Sequence, residues 1–179
     1  MWTLLGLATV ILTAPGLPQA PAPQADDVVV IDGHKDPSKI PDWAAWEDGF
    51  STLALWAGKD NGFTHDLREA LAPAEREVLD REAAGQQGRR AQAQRDEQAT
   101  RAEAARVDPK DRAHMDALNV RVREATLRYR RATLDARDRV LAAISPTAQG
   151  VLQQWIDDCR SALVIRVPKS ELAWWRAPE

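Results

Sequence analysis

The sequence predicts an all-α protein: an antiparallel helical bundle or hairpin with a long central helix, a polar extended arm and an optional minor two-stranded β-pair. Three observations carry this. Apolar residues recur every three or four positions through most of the chain, and Ala72-Pro73, Asp108-Pro109 and Ser145-Pro146 mark helix starts. Only two short runs, Val28 to Ile31 and Val164 to Val167, read as strand.

Met1 to Ala25 holds no charged side chain and has one apolar run, Trp2 to Leu12, before a Pro/Ala/Gln stretch. That run is too short for a helix crossing a bilayer, which takes about 20 residues, and suits the apolar core of an export signal. No Lys or Arg precedes it, and Pro23 stands where a cleavage site prefers a small side chain. Residues 1–25 are read as a signal peptide and 26–179 as a single helical domain, periplasmic or secreted, with no stable membrane insertion after processing.

Val28 to Ile31 ends in the turn signal Asp32-Gly33. Pro37 and Pro41 then bracket the opening of a helix on which Ile40, Trp43, Trp46, Phe50, Leu53 and Trp56 share one face. Three tryptophans on one stripe, each able to bury roughly 150–250 Å², make that helix the expected centre of the core rather than an aromatic ligand box. Gly58 to Gly62 closes it, and Thr64 is placed to cap a short helix through Leu67 to Leu71. Ala72-Pro73 opens a longer helix carrying Val78 and Leu79. Between Asp80 and His114 the only large aliphatic residue is Val107, so residues 80–107 read as a solvated, flexible polar arm, interrupted by Gly85 and Gly88.

Asp108-Pro109 is read as the N-cap and first residue of the longest helix, which runs to about Ile144. Its stripe is Met115, Leu118, Val122, Tyr129, Thr133, Ala136, Val140 and Ile144, with Ala125 or Thr126 filling the gap. Ser145-Pro146 opens a closing helix with Leu152, Trp155, Ile156, Cys159 and Leu163 on one face. The first and closing helices are expected to pack on the 109–144 helix, and the two Val-rich runs to pair. Trp174-Trp175 is either a packed lid or an exposed anchor.

Chemistry is sparse. Phosphate-loop, zinc-cysteine and nucleophile-elbow sequences are missing, and Cys159 sits on an apolar face unsuited to a reactive thiolate. The chain is therefore read as not an enzyme, with no cofactor. The net charge of −3 gives no reason to expect a nucleic-acid partner. Its distribution is uneven, however. Asp26 to Asp66 holds nine acids against three lysines, whereas Arg121, Arg123, Arg128, Arg130 and Arg131 crowd one short stretch with a single glutamate. Those arginines, with Trp43 and Trp46, are the candidate partner-binding residues. The candidate metal ligands are His65 and Glu69, one helical turn apart, with His34.

Leu71-Ala72-Pro73-Ala74-Glu75 and Ile144-Ser145-Pro146-Thr147-Ala148-Gln149 resemble the Leu-Thr-x-x-Gln elements of the periplasmic stress and metal-resistance chaperones of the LTxxQ group, which are small, helical and exported. Each copy keeps half of the capping box behind that motif: Ala72 lacks a capping side chain, and Ala148 stands where Gln or Glu belongs. Val28 to Phe50 is similar to the N-terminal motif of a group of uncharacterised secreted Ala/Arg-rich bacterial proteins, through Asp32, Gly33, Lys35, Asp36, Pro37, Ile40, Pro41, Trp46 and Glu47. The second resemblance implies export and fold but no mechanism. The expected role is a periplasmic or extracellular interaction or chaperone-like protein with an unknown protein partner or client, and a homodimer is an option. The alternative is a metal-responsive resistance or sensor protein of the periplasm.

Overall fold

The computed structural model describes residues 28–57, 62, 64–108, 110–169 and 172–175. The proposed signal peptide and most of the Gly58–Gly62 turn lie outside them. The order of elements is β1 (Val28–Asp32), a 3-10 turn (Pro37–Lys39), α1 (Asp42–Leu55), α2 (His65–Ala70), α3 (Pro73–Ala104), α4 (Arg112–Ala143), α5 (Pro146–Ala162), β2 (Val164–Pro168) and α6 (Leu172–Trp175). Among the described residues the fold is thus mainly helical with one minor sheet. Its two strands are antiparallel, with Val28 opposite Pro168 and Asp32 opposite Val164, which pairs the two Val-rich runs.

Helix α1 is the hub, but of the three tryptophans on its predicted stripe only Trp46 is fully buried: Trp43 is half-buried and Trp56, at the helix end, is 37 % exposed. Ile40, Trp46, Phe50 and Leu53 are buried, but so are Ala44, Ala45 and Gly49, so α1 is covered on more than one side. It packs against the α3–α4 pair and against α5. The closing helix therefore does not rest mainly on the long helix, as the sequence suggested; α5 packs chiefly on α1 and α2. Gly49 makes this possible, because a Cβ there would stand 2.4 Å from Ile156 Cδ1. Gly33 works likewise at the end of β1, where a Cβ would lie 2.3 Å from the carbonyl oxygen of Arg160.

The larger correction concerns residues 80–107. They do not form an arm standing away from the core: α3 is one continuous helix through Gly85 and Gly88, and its contact with α4 is the largest between helices. Glu82 pairs with Arg139, Gln86 with Thr133, and Glu103 with Arg121, so numbers fall on α4 as they rise on α3 and the pair is an antiparallel hairpin. Leu79, Ala83, Gln86 and Thr100 are the buried positions of α3. Small and polar side chains line this seam, so a search for large aliphatics passes over it.

Helix α4 also starts later than Asp108-Pro109 indicated. The Asp108 carboxylate accepts from the Lys110 N–H at 2.9 Å within the connecting turn, and Asp111 is the true cap, accepting from the His114 N–H at 3.1 Å. Both aspartates carry a cap's chemistry, and the turn uses the first. In α6 Trp175 is buried and meets Trp43 edge-on at 5.6 Å, which is the lid arrangement for that residue, and the Trp174 side chain lies outside the described ones. Among the described residues no helix is long and apolar enough to cross a membrane.

Candidate functional site

Beyond the point where α1 covers it, the α3–α4 hairpin leaves a groove of about 500 Å³. Its small or apolar lining includes Trp43, Ala93, Val122 and Ala125, and its charges come from Arg90, Asp96, Glu97, Arg121 and Arg128. The inner end is closed by Glu47, Tyr129 and Arg130.

That inner end is a polar network between three helices, buried at Gln86 and Thr133 and half-buried at Tyr129 and Glu47. Gln86 of α3, fully enclosed, donates through Nε2 to the Tyr129 hydroxyl at 2.9 Å and to Thr133 Oγ1 at 2.7 Å, while its Oε1 accepts from Arg89 Nε at 2.9 Å. Tyr129 donates onward to Glu47 Oε1 of α1 at 2.9 Å, and Thr133 to the carbonyl of Tyr129 at 3.1 Å. Gln86, Tyr129, Thr133 and Glu47 thus each have a hydrogen-bond partner within the network. Burial pushes the Glu47 carboxyl above its usual range, more than the Tyr129 hydroxyl and the neighbouring Arg90 and Arg130 draw it down. Tyr129 is likewise raised, by burial first and by the Glu47 charge second.

The sequence-predicted partner residues divide into three sets. Trp43, Arg121, Arg128 and Arg130 all line the groove. Arg123 and Arg131 are exposed on α4 outside that lining. Trp46 is 1 % exposed and packs its ring on Phe50, so it belongs to the core and presents nothing to a partner. Arg130 is also not a solvated charge: it is 6 % exposed, with its guanidinium 4.2 Å from the centre of the Trp43 ring. Arg121 reaches across the hairpin to Glu103 at 2.6 Å, and His114 lies 3.5 Å from the same carboxylate.

The metal candidates do not assemble. His65 Nε2 and Glu69 Oε1 stand 3.3 Å apart on the solvent face of α2, but among the described residues no three His, Cys, Asp or Glu side chains converge on a point, and His34 adds no third ligand. Cys159 is buried, and burial, with Asp48 and Asp158 nearby, raises its thiol to about 12.

The Gln86–Tyr129–Glu47 network was missed by sequence reasoning. The signal was present: Leu79, Ala83, Gln86, Ala93 and Thr100 step by threes, fours and sevens, a seam legible only once glutamine and threonine are allowed inside. No family model matches the chain, and neither the curated proteins nor the solved structures compared with it gave a match.

Proposed function

We propose that this is an exported, non-enzymatic interaction protein of chaperone-like action that holds a segment of a partner polypeptide in the α3–α4 groove. The observation that carries the reading is the groove itself. At about 500 Å³ it suits a few side chains of a peptide rather than a folded domain, and it sets small apolar lining beside arginines and acids. Such a mixture can cover apolar side chains while pairing with charges of either sign that flank them. Trp43 is held between Arg130 and Trp175, which fixes one wall before any partner arrives. The export half of the reading rests on the composition of residues 1–25.

The test is suppression of aggregation of unfolding client proteins by the mature chain, compared with Ala125→Trp, which fills the groove, and with the Arg121→Ala/Arg128→Ala pair. The reading requires suppression by the native chain, its loss in Ala125→Trp with an unchanged circular-dichroism melt, and weaker, less salt-sensitive suppression in the arginine pair. Equal suppression by the native and Ala125→Trp proteins, or none by the native chain across several clients, overturns it.

A further inference from the structure

Burial divides the α3–α4 groove into a floor and two rims. Ala93 and Thr100 of α3 and Val122 and Ala125 of α4 are buried or half-buried and form the floor. The rims carry opposite charge, with Asp96 and Glu97 on the α3 side and Arg121 and Arg128 on the α4 side. Three of these charges have intrachain partners that are themselves in solvent: Glu97 with Arg101, Arg121 with Glu103, and Arg128 with Glu124 at 3.9 Å. Exposed pairs of that kind hold weakly and exchange for the charges of a visitor. The backbone decides what kind of visitor can lie there. Along the whole groove α3 and α4 are continuous helices, so their N–H and C=O groups are already bonded within each helix and the floor offers none. An extended segment seated on such a floor buries main-chain groups with nothing to bond, whereas a helix arrives with its own satisfied.

We propose, on the footing that this groove seats the partner, that the partner's segment is an amphipathic helix with basic residues along one flank and acidic residues along the other. Its apolar stripe, at i, i+3 or i+4 and i+7, lies on Ala93, Val122 and Ala125. Its basic flank meets Asp96 and Glu97, and its acidic flank meets Arg121 and Arg128. Small floor residues let the axis of a third helix come close. From Arg90 to Thr100 the α3 wall rises about 15 Å, room for about three turns. Turning the visiting helix end for end exchanges its flanks, so one direction of insertion matches the two rims and the other sets like charges together. Direction is thereby specified along with composition.

Fluorescence anisotropy of labelled synthetic peptides added to the mature chain tests this. Each peptide has about 18 residues, long enough to take up a helix in place, with leucines at i, i+3 and i+7. One has lysines on one flank and glutamates on the other, a second has lysines on both, a third has glutamates on both, and a fourth repeats the first with proline at its centre. The mixed peptide is expected to bind at least about tenfold more tightly than the other three, and Ala125→Trp to lose it. In Asp96→Lys/Glu97→Lys both rims are basic, so preference should pass to the peptide with glutamates on both flanks, with an unchanged circular-dichroism melt. A proline peptide as tight as the unbroken one, a uniformly charged peptide as tight as the mixed one on the native chain, or no binding by any of them overturns the proposal. The groove reading survives that failure where the native chain still suppresses client aggregation and Ala125→Trp has lost the ability, and falls with it where the two proteins behave alike.

Discussion

Glu75 completes the cap of a helix that begins seventy residues later. Its Oε2 accepts the N–H of Ala72, the N-cap of its own helix, at 2.7 Å, and its Oε1 accepts the N–H of Ser145, the N-cap of α5, at 2.6 Å. In a full capping box the third helical residue supplies the acceptor for the cap's N–H; in α5 that residue is Ala148, which has none. Ser145 still performs its own half, accepting from the Ala148 N–H at 3.4 Å. Gln149, one place late for the box, turns back and donates to the carbonyls of Leu141 and Ile144 at the end of α4. Two half-motifs are thus one shared device that locks the two helix starts together.

Glu75→Ala should therefore lower the melting temperature and, more tellingly, speed amide exchange at both Ala72 and Ser145. The two N–H groups hold the Glu75 carboxyl below its usual range, Ala72 first and Ser145 second. A carboxyl whose folded pKa is depressed contributes stability that is present above its unfolded pKa and lost as pH falls through the folded one. The native and Glu75→Ala melting temperatures should accordingly converge on acidification below the ordinary carboxylate range. Glu75→Gln, with a single acceptor oxygen, should protect one amide and not the other. Unchanged exchange at Ser145 in Glu75→Ala would sink the shared-cap account.

Glu47 has the opposite sign. Its folded pKa is raised by burial, so its charge costs stability at neutral pH and the cost vanishes as pH falls through the folded value. Glu47→Gln keeps an oxygen to accept the Tyr129 hydroxyl and removes the buried charge. The variant should be more stable than the native chain at pH 7, with the advantage shrinking toward the ordinary carboxylate range in urea titrations run at stepped pH. A variant less stable at pH 7 would mean that attraction to Arg90, 3.9 Å away, outweighs burial.

Within the same network Tyr129→Phe should cost more than Gln86→Leu. Removing the Gln86 amide leaves Tyr129 still donating to Glu47 and Thr133 still donating to a carbonyl, and Arg89, which loses its Nε acceptor, is part-exposed and keeps Glu82. Removing the Tyr129 hydroxyl takes from Glu47 its close donor, and stranding a buried polar group costs about 1–3 kcal/mol. Denaturant midpoints at constant slope would check the order, and Glu47→Gln in the Tyr129→Phe background should recover part of the loss.

The aliphatic and aromatic stripes made α1, α4, α5 and the strand pair legible in the sequence, because water exclusion writes large apolar side chains at helical or alternating spacing. The α3–α4 seam obeys the same spacing with Ala83, Gln86 and Thr100, residue types equally at home in solvent, and only the partner across the interface shows that they are inside. For the groove, the arginine cluster pointed to the correct helix. Spacing put Arg128 and Arg130 on different faces, since two residues along a helix turn a side chain by about 200°, but it could not show that Arg130 is the one buried against Trp43 while Arg128 stays in solvent at the groove's edge.

Gly49 offers the sharpest test of how α1 and α5 meet. In a free helix Gly→Ala gains about 1 kcal/mol of propensity. Here the added methyl carbon would sit 2.4 Å from Ile156 Cδ1 and 3.1 Å from Trp155 Cζ3, and Ile156 is wholly buried, so its end has nowhere to swing. Overpacking of this kind costs about 1–3 kcal/mol, enough to cancel the propensity gain or exceed it. Gly49→Ala should therefore be neutral to destabilising by up to about 2 kcal/mol rather than stabilising. Ile156→Val, which deletes the colliding carbon, should alone cost about 0.5–1.5 kcal/mol. Combined, the two changes should cost less than their sum, because the methyl lost from one helix makes room for the methyl gained by the other. Strict additivity in the double-mutant cycle would show that α1 and α5 do not touch at this point.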